Sequence, residues 1–334
     1  MREALIPDFL AQAGWTGASR HWLAGDASAR SYERVALGDQ RAVLMDAPPG
    51  CGDDVGAFHR IGAHLAGLGL SPPRTLALDE AQGLMLIEDL GDGIFARLLE
   101  ADPGAEPALY QAAADVLLRL QAAPAPGGLP DLGAADWAAS AGLAAEFYAH
   151  AATGALPDAA PMLQALEDAI RAHADGPRVL ILRDYHAENL LWLPEREGVA
   201  RVGLLDFQLG QMGQPEYDLV SLLQDARRDV TPATEAQVLA YFAAQSGQDP
   251  ARIGVAYATL GALRALRIIG IFARLSMVAG KDRYLAFLPR VWGQLMRNLS
   301  HPALAALRGQ VLAILPEPDT EIIERIRAWP TVSR

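Results

Sequence analysis

Residues 182–189 read Leu182-Arg183-Asp184-Tyr185-His186-Ala187-Glu188-Asn189, and residues 205–207 read Leu205-Asp206-Phe207. Between them lie two strand-like runs, Leu190 to Leu193 and Val199 to Leu205, joined by a turn at Pro194 to Gly198. Asp184 and Asn189 stand before the outgoing strand and Asp206 follows the returning one. An antiparallel hairpin brings its open ends together, so the spacing predicts that a carboxylate, an amide and a second carboxylate converge. Phosphoryl transfer uses such a set: one carboxylate orients and deprotonates an acceptor hydroxyl, while an amide and a carboxylate offer hard oxygen ligands to Mg²⁺. A hydrated turn whose polar residues satisfy strand ends would also use these residue types. The ordered arrival of Asp206, and then of Asp218 in Gly213-Gln214-Pro215-Glu216-Tyr217-Asp218-Leu219, favours chemistry over a turn.

Outward from this island, the texture of the chain changes near residue 90. Before it come short β-like runs at His21 to Ala24, Ser31 to Leu37, Arg41 to Asp46, Thr75 to Leu78 and Gly83 to Glu88, interrupted by one helical pattern from Asp54 to Leu68. After it, helical patterns dominate: Glu106 to Gln121, Asp136 to Ala152, Pro161 to Ala174, Thr234 to Gln245, Arg252 to Val278 and Pro302 to Ile314. The expected fold is α+β, with residues 1–90 as a small antiparallel sheet lobe carrying one main helix and residues 91–334 as a larger, mostly helical lobe. A cleft between two such lobes is the natural ligand site.

The 334 residues are 51% hydrophobic and 20% charged, the balance of a globular protein, with a net charge of −12. That acidity argues against nucleic acid or an anionic membrane as partner, since both demand clustered positive charge, and points to a small molecule. Thr259 to Gly280 is the most apolar later stretch, but Arg264, Arg267 and Arg274 interrupt it, so it reads as a core helix. Met1 to Trp15 mixes Arg2, Glu3 and Asp8 into its apolar positions, as a short helix does and an export signal does not. The single cysteine, Cys51, makes no internal disulfide and fits a cytoplasmic compartment, as an inert loop residue. Among 28 basic residues only Lys281 is a lysine.

Taken together, Asp184-Tyr185-His186, Asn189 and Leu205-Asp206-Phe207-Gln208 resemble the aminoglycoside phosphotransferase and choline kinase-like group, the small-molecule branch of the protein kinase-like fold. Two further runs, residues 25–34 (Gly-Asp-Ala-Ser-Ala-Arg-Ser-Tyr-Glu-Arg) and residues 44–49 (Leu-Met-Asp-Ala-Pro-Pro), are similar to the opening of the amino-sugar kinases that phosphorylate N-acetylmuramate and N-acetylglucosamine at the anomeric hydroxyl. The resemblance covers nearly the whole chain. It implies a bilobal kinase-like fold, ATP and Mg²⁺ as cofactors, Asp184 as the catalytic base, and Asn189 and Asp206 as metal ligands. Ser28 and Arg30 would steady the phosphates, and the backbone of Glu88 and Leu90 would meet the adenine. His186 and Arg183 are expected to meet substrate or support the loop, and Asp218 to cap a helix or anchor a loop. Leu182 stands where this catalytic loop often has His, which alters the support of the loop. An aminoglycoside or choline-type acceptor on the same scaffold is the alternative, and a nucleotide-binding pseudokinase the second.

One element of the kinase pattern is missing. Protein kinases place a lysine on the third strand and pair it with a glutamate on the small-lobe helix. Here Met45 occupies the strand position and Asp54 to Leu68 contains no glutamate. Arg30 or Arg34 is expected to supply the charge instead.

Overall fold

Three strands, β1 (Ser19–Ala24), β2 (Ser31–Leu37) and β3 (Gln40–Asp46), form an antiparallel meander in the computed structural model, which describes residues 2–24, 30–51 and 54–329. The β2–β3 turn spans only Gly38 and Asp39, which Gly38 permits by taking φ +59°. Strands β4 (Thr75–Asp79) and β5 (Leu84–Glu88) complete a five-stranded sheet in the order β1-β2-β3-β5-β4, every neighbouring pair antiparallel. All five expected strands are present, with ends moved by one or two residues.

The central strands β3 and β5 are covered on both faces, which is why Ala42 to Met45 and Leu84 to Ile87 run continuously apolar instead of alternating. Ala42, Leu44, Leu84 and Leu86 pack with Ile6, Phe9 and Leu10 of helix α1 (Leu5–Gln12) and with Trp15. The two-residue period turns Val43, Met45, Met85 and Ile87 to the other face. Helix α2 (Val55–Gly67) starts where Asp54 accepts a hydrogen bond from the Gly56 N–H at 2.8 Å, and it buries Val55, Phe58, Ile61 and Leu65 at helical spacing. Phe58 and Met45 line one small void.

By packing, the chain divides into two units: Met1–Gly127 with Leu182–Gly210, and Gly128–Ile181 with Gln211–Arg334. The change of texture at residue 90 therefore falls inside the first unit. Its physical cause is the hairpin of Leu190–Trp192 and Val202–Leu204, which is stitched to the chain beside the sheet. The Leu204 N–H donates to the Ser71 carbonyl at 2.9 Å, and the Trp192 N–H to that of Gly93 at 2.7 Å. The returning strand is shorter than expected. Residues Gly198–Arg201 form a 3₁₀ turn, with the Ala200 carbonyl held by the Ser71 hydroxyl at 2.6 Å, and the ladder begins only at Val202.

In the second unit a short antiparallel pair, Val179–Ile181 with Gln211–Gly213, accompanies helices that include Ala160–His173, Pro232–Ser246 and Pro250–Ala279. The expected helix from Asp136 to Ala152 is broken into Ala134–Ser140, a π-helical turn Ala144–Ala149 and His150–Thr153. The long helix crosses it there so closely that a Cβ on Gly270 would stand 2.3 Å from the Leu143 carbonyl carbon. Pro250–Ala279 is long and apolar enough to cross a membrane, but 78% of its most apolar window is buried within the fold, as expected of a core helix. Phe95–Ala101, Leu288–Leu299 and Thr320–Arg327 are helices that the periodicity left unassigned. Cys51 is exposed in its loop and forms no disulfide.

Candidate active site

The open end of the 190–204 hairpin is closed by the Leu205 N–H, which donates to the Asn189 carbonyl at 2.9 Å, so Asp206 emerges beside Asn189 as the spacing predicts. The loop before the hairpin is held by its own polar groups. The Asn189 side chain donates through Nδ2 to the Asp184 carbonyl at 2.9 Å, and its N–H reaches the His186 carbonyl at 2.8 Å. From below, the buried Tyr185 hydroxyl donates to the Ala113 carbonyl at 2.8 Å, and the Ala96 N–H to the Ala187 carbonyl at 3.1 Å. Among the described residues, two that are not glycine adopt the left-handed conformation, Arg183 at φ +71° and Asp206 at φ +56°, and both lie in this island. Such strain persists only where neighbours over-determine it and concentrates at functional positions. For Asp206 the anchor is the next residue: the Phe207 ring packs on Phe58 of α2 with centroids 4.5 Å apart.

A cavity of about 410 Å³ collects five of the expected site residues, Arg30, Glu88, Leu90, Asn189 and Asp206, while Asp184, Arg183, His186 and Asp218 are not among its lining. Val43, Ile87, Leu90, Leu191 and Leu205 give it apolar walls, while Arg30, Glu88, Asn189 and Asp206 supply its polar groups. An apolar slot with a few convergent polar groups suits a flat base joined to a charged tail. The Leu90 N–H meets no backbone acceptor among the described residues. The Glu88 N–H, by contrast, is already used by the Arg74 carbonyl at 2.9 Å, and its carboxylate bridges Arg74 and Arg196 at 3.1 and 2.9 Å. Glu88 can therefore not donate its N–H to a base.

The two candidate cations part company. Arg30 Nη2 donates to Asp206 Oδ1 at 2.7 Å. Arg34, which also lines the cavity, is tied to Asp89 at 2.6 Å and to Asp92 at 3.0 Å, at the segment after β5. The hydrogen bond to Asp92 raises the Arg34 pKa, and the same bond holds the Asp92 carboxyl below its ordinary value. Met45 is 1% exposed and cannot reach a ligand.

His186 is buried, with Nε2 3.4 Å from the Asn189 amide nitrogen, which is the position of a loop support. Asp218 is the second residue of the helix Tyr217–Leu223, whose N-cap position is held by Glu216, and it is 1% exposed, in the second unit. Ser28 lies outside the described residues. Sequence reasoning missed Gln208, whose Nε2 donates to Asp206 Oδ1 at 2.9 Å, and Phe58, which stands on the helix that should have carried the glutamate. The missing glutamate was itself the available signal for an apolar replacement.

The donor set fits Mg²⁺. Because Asn189 Nδ2 is committed to a carbonyl, its Oδ1 remains as a hard acceptor beside the Asp206 carboxylate. One carboxylate and one amide oxygen, completed by phosphates and water, is the kind of site Mg²⁺ prefers. No cluster of three or more acidic, His or Cys residues exists among the described residues that would favour an all-protein metal cage.

The antiparallel sheet with its single main helix, the hairpin-borne carboxylates and the largely helical remainder define a small-molecule phosphotransferase of the protein kinase-like class. The chain belongs to the phosphotransferase enzyme family, whose model matches residues 22–256. The N-acetylmuramate/N-acetylglucosamine kinase of Caulobacter vibrioides is 40% identical, over 92% of this chain and 95% of the relative. The enzyme of the same name from Pseudomonas aeruginosa is 31% identical over 94% of this chain and 95% of its own length. Among solved structures, a choline/ethanolamine kinase family protein from Mesorhizobium loti superimposes with a TM-score of 0.61 at 18% identity, over 93% of this chain and 99% of that one.

Proposed function

We propose that this kinase transfers the terminal phosphoryl group of ATP, with Mg²⁺, to the anomeric hydroxyl of N-acetylmuramate or N-acetylglucosamine, a reaction of the cytoplasm. The observation that carries the catalytic part is the closure of the hairpin, the Leu205 N–H on the Asn189 carbonyl at 2.9 Å, which sets Asp206 beside Asn189 on the loop that also bears Asp184. The acceptor follows from the amino-sugar kinases that share 40% and 31% of their residues with the chain. Asp184 orients the sugar hydroxyl and takes its proton as the oxygen attacks. Asn189 and Asp206 hold the metal, which when bound neutralises charge on the phosphates. Arg30 steadies the phosphates, Leu90 offers its N–H to the base, and Ser28 adds a hydroxyl donor. Most of the acceleration comes from positioning and electrostatics, since no covalent intermediate is required.

The test is an ATP-consumption assay with N-acetylmuramate, N-acetylglucosamine, kanamycin and choline. Turnover is expected with the amino sugars and not with the two cationic acceptors, and Asp184→Ala should lower kcat by roughly 10²- to 10⁴-fold with little change in nucleotide affinity. Turnover of kanamycin alone would overturn the acceptor, and undiminished turnover by Asp184→Ala would overturn the base.

A further inference from the structure

The phosphate cation and the proposed metal site meet in one ion pair. Arg30 Nη2 lies 2.7 Å from Asp206 Oδ1, with side chains 11% and 32% exposed, so water screens the contact only partly. The same oxygen accepts from Gln208 Nε2 at 2.9 Å. Two donors, one of them a full positive charge, therefore occupy one oxygen of the carboxylate that would hold a divalent cation. Three arginines line the cavity: Arg34 is committed to Asp89 and Asp92, and Arg97 is exposed on the helix Phe95–Ala101, which leaves Arg30 on the carboxylate. A guanidinium held against this carboxylate and a divalent cation bound to it repel each other, so each weakens the hold of the other.

We infer that Arg30 serves two partners in turn: in the nucleotide-free enzyme it occupies Asp206 in place of the metal, and on loading it leaves the carboxylate for the phosphates of the incoming nucleotide. The inference rests on the assignment of Asp206 as a metal ligand. It goes further than phosphate binding by Arg30, because it makes the residue a competitor of the metal when no nucleotide is present. The Tyr32 ring, centred 6.0 Å from the Arg30 guanidinium carbon, flanks the path with a surface that tolerates a cation. The exchange suppresses metal binding without nucleotide and couples the two ligands, since each then favours the state that admits the other.

Removal of Arg30 must act in opposite directions on the two ligands. Mn²⁺ binding to nucleotide-free protein, followed by electron paramagnetic resonance, should tighten roughly tenfold in Arg30→Ala and Arg30→Gln, since the competing charge is gone. Binding of Mn²⁺·AMP-PNP, followed by calorimetry, should weaken by roughly tenfold or more in the same variants. Arg30→Lys should keep most of the nucleotide affinity. Thermal melts confirm folding, and two neutral replacements guard against the failure of one. Unchanged or weaker Mn²⁺ binding in the neutral variants overturns the inference, as does unchanged nucleotide affinity, or a wild type that binds no Mn²⁺·AMP-PNP. If the amino sugars prove not to be acceptors while the opposed shifts are observed, the acceptor assignment fails and the exchange stands.

Discussion

Met45 and Arg30 show how much a single position decides here. Met45 is 1% exposed and shares its small void with Phe58 and with Asp54, whose carboxylate already caps α2 and pairs with Arg60. Restoring the kinase-like residue should therefore harm the protein. Met45→Lys would bury an ammonium without a dedicated partner and is expected to cost about 2–3 kcal/mol in denaturant unfolding, with no gain in ATP turnover. An equally stable variant would show that this side chain reaches solvent or the cavity. At this scale the approach of Asp206 to Asn189 was legible, since closure of the hairpin brings these two together. The choice between Arg30 and Arg34 was not. It depends on β5 delivering Asp89 and Asp92 to Arg34, a long-range event that no local spacing encodes.

Among the elements, the strands of the sheet and the helices α2, Glu106–Gln121 and Pro250–Ala279 follow from periodicity and end signals. Leu288–Leu299 was left unassigned, yet its proline stands in the first turn, where a helix has no hydrogen bond to lose, and Val291, Trp292, Leu295 and Leu299 are buried at helical spacing. The break between Ser140 and His150 has a tertiary cause, the crossing at Gly270. Gly270→Ala thus tests the contact against propensity. Alanine favours a helix interior by about 1 kcal/mol over glycine. Its Cβ would meet the Ala144 nitrogen at 2.5 Å and the Leu143 carbonyl carbon at 2.3 Å, so a net loss of about 1–3 kcal/mol is expected in thermal or urea unfolding. A stabilised variant would show that the two segments can separate freely.

For the molecule as a whole, the bias toward arginine means that every ion pair named above has a planar, forked donor, suited to two-pronged contacts such as Arg290 on Asp229 at 2.7 and 3.0 Å. Stability at high pH has a separate source. The buried Tyr257 hydroxyl donates to Glu235 Oε1 at 2.7 Å. Burial first, and then the charge of Glu235, hold its pKa well above the ordinary 10.0. Because the folded state keeps this proton more tightly, its contribution is complete below pH about 10 and is lost as the pH rises through the folded pKa. Tyr148 acts with the same sign. Tyr257→Phe should cost about 1 kcal/mol at neutral pH and show a shallower decline of stability above pH about 10 than the wild type; equal slopes would remove Tyr257 from the cause. The sequence by itself determined the class of fold, the hairpin that unites the catalytic island, and the absence of the strand lysine, because each rests on local spacing and residue type. Which distant groups pair was settled only on folding: Arg30 with Asp206, Arg34 with Asp89 and Asp92, and the Glu88 N–H with the Arg74 carbonyl. Those outcomes depend on which distant groups the folded backbone brings within hydrogen-bond reach.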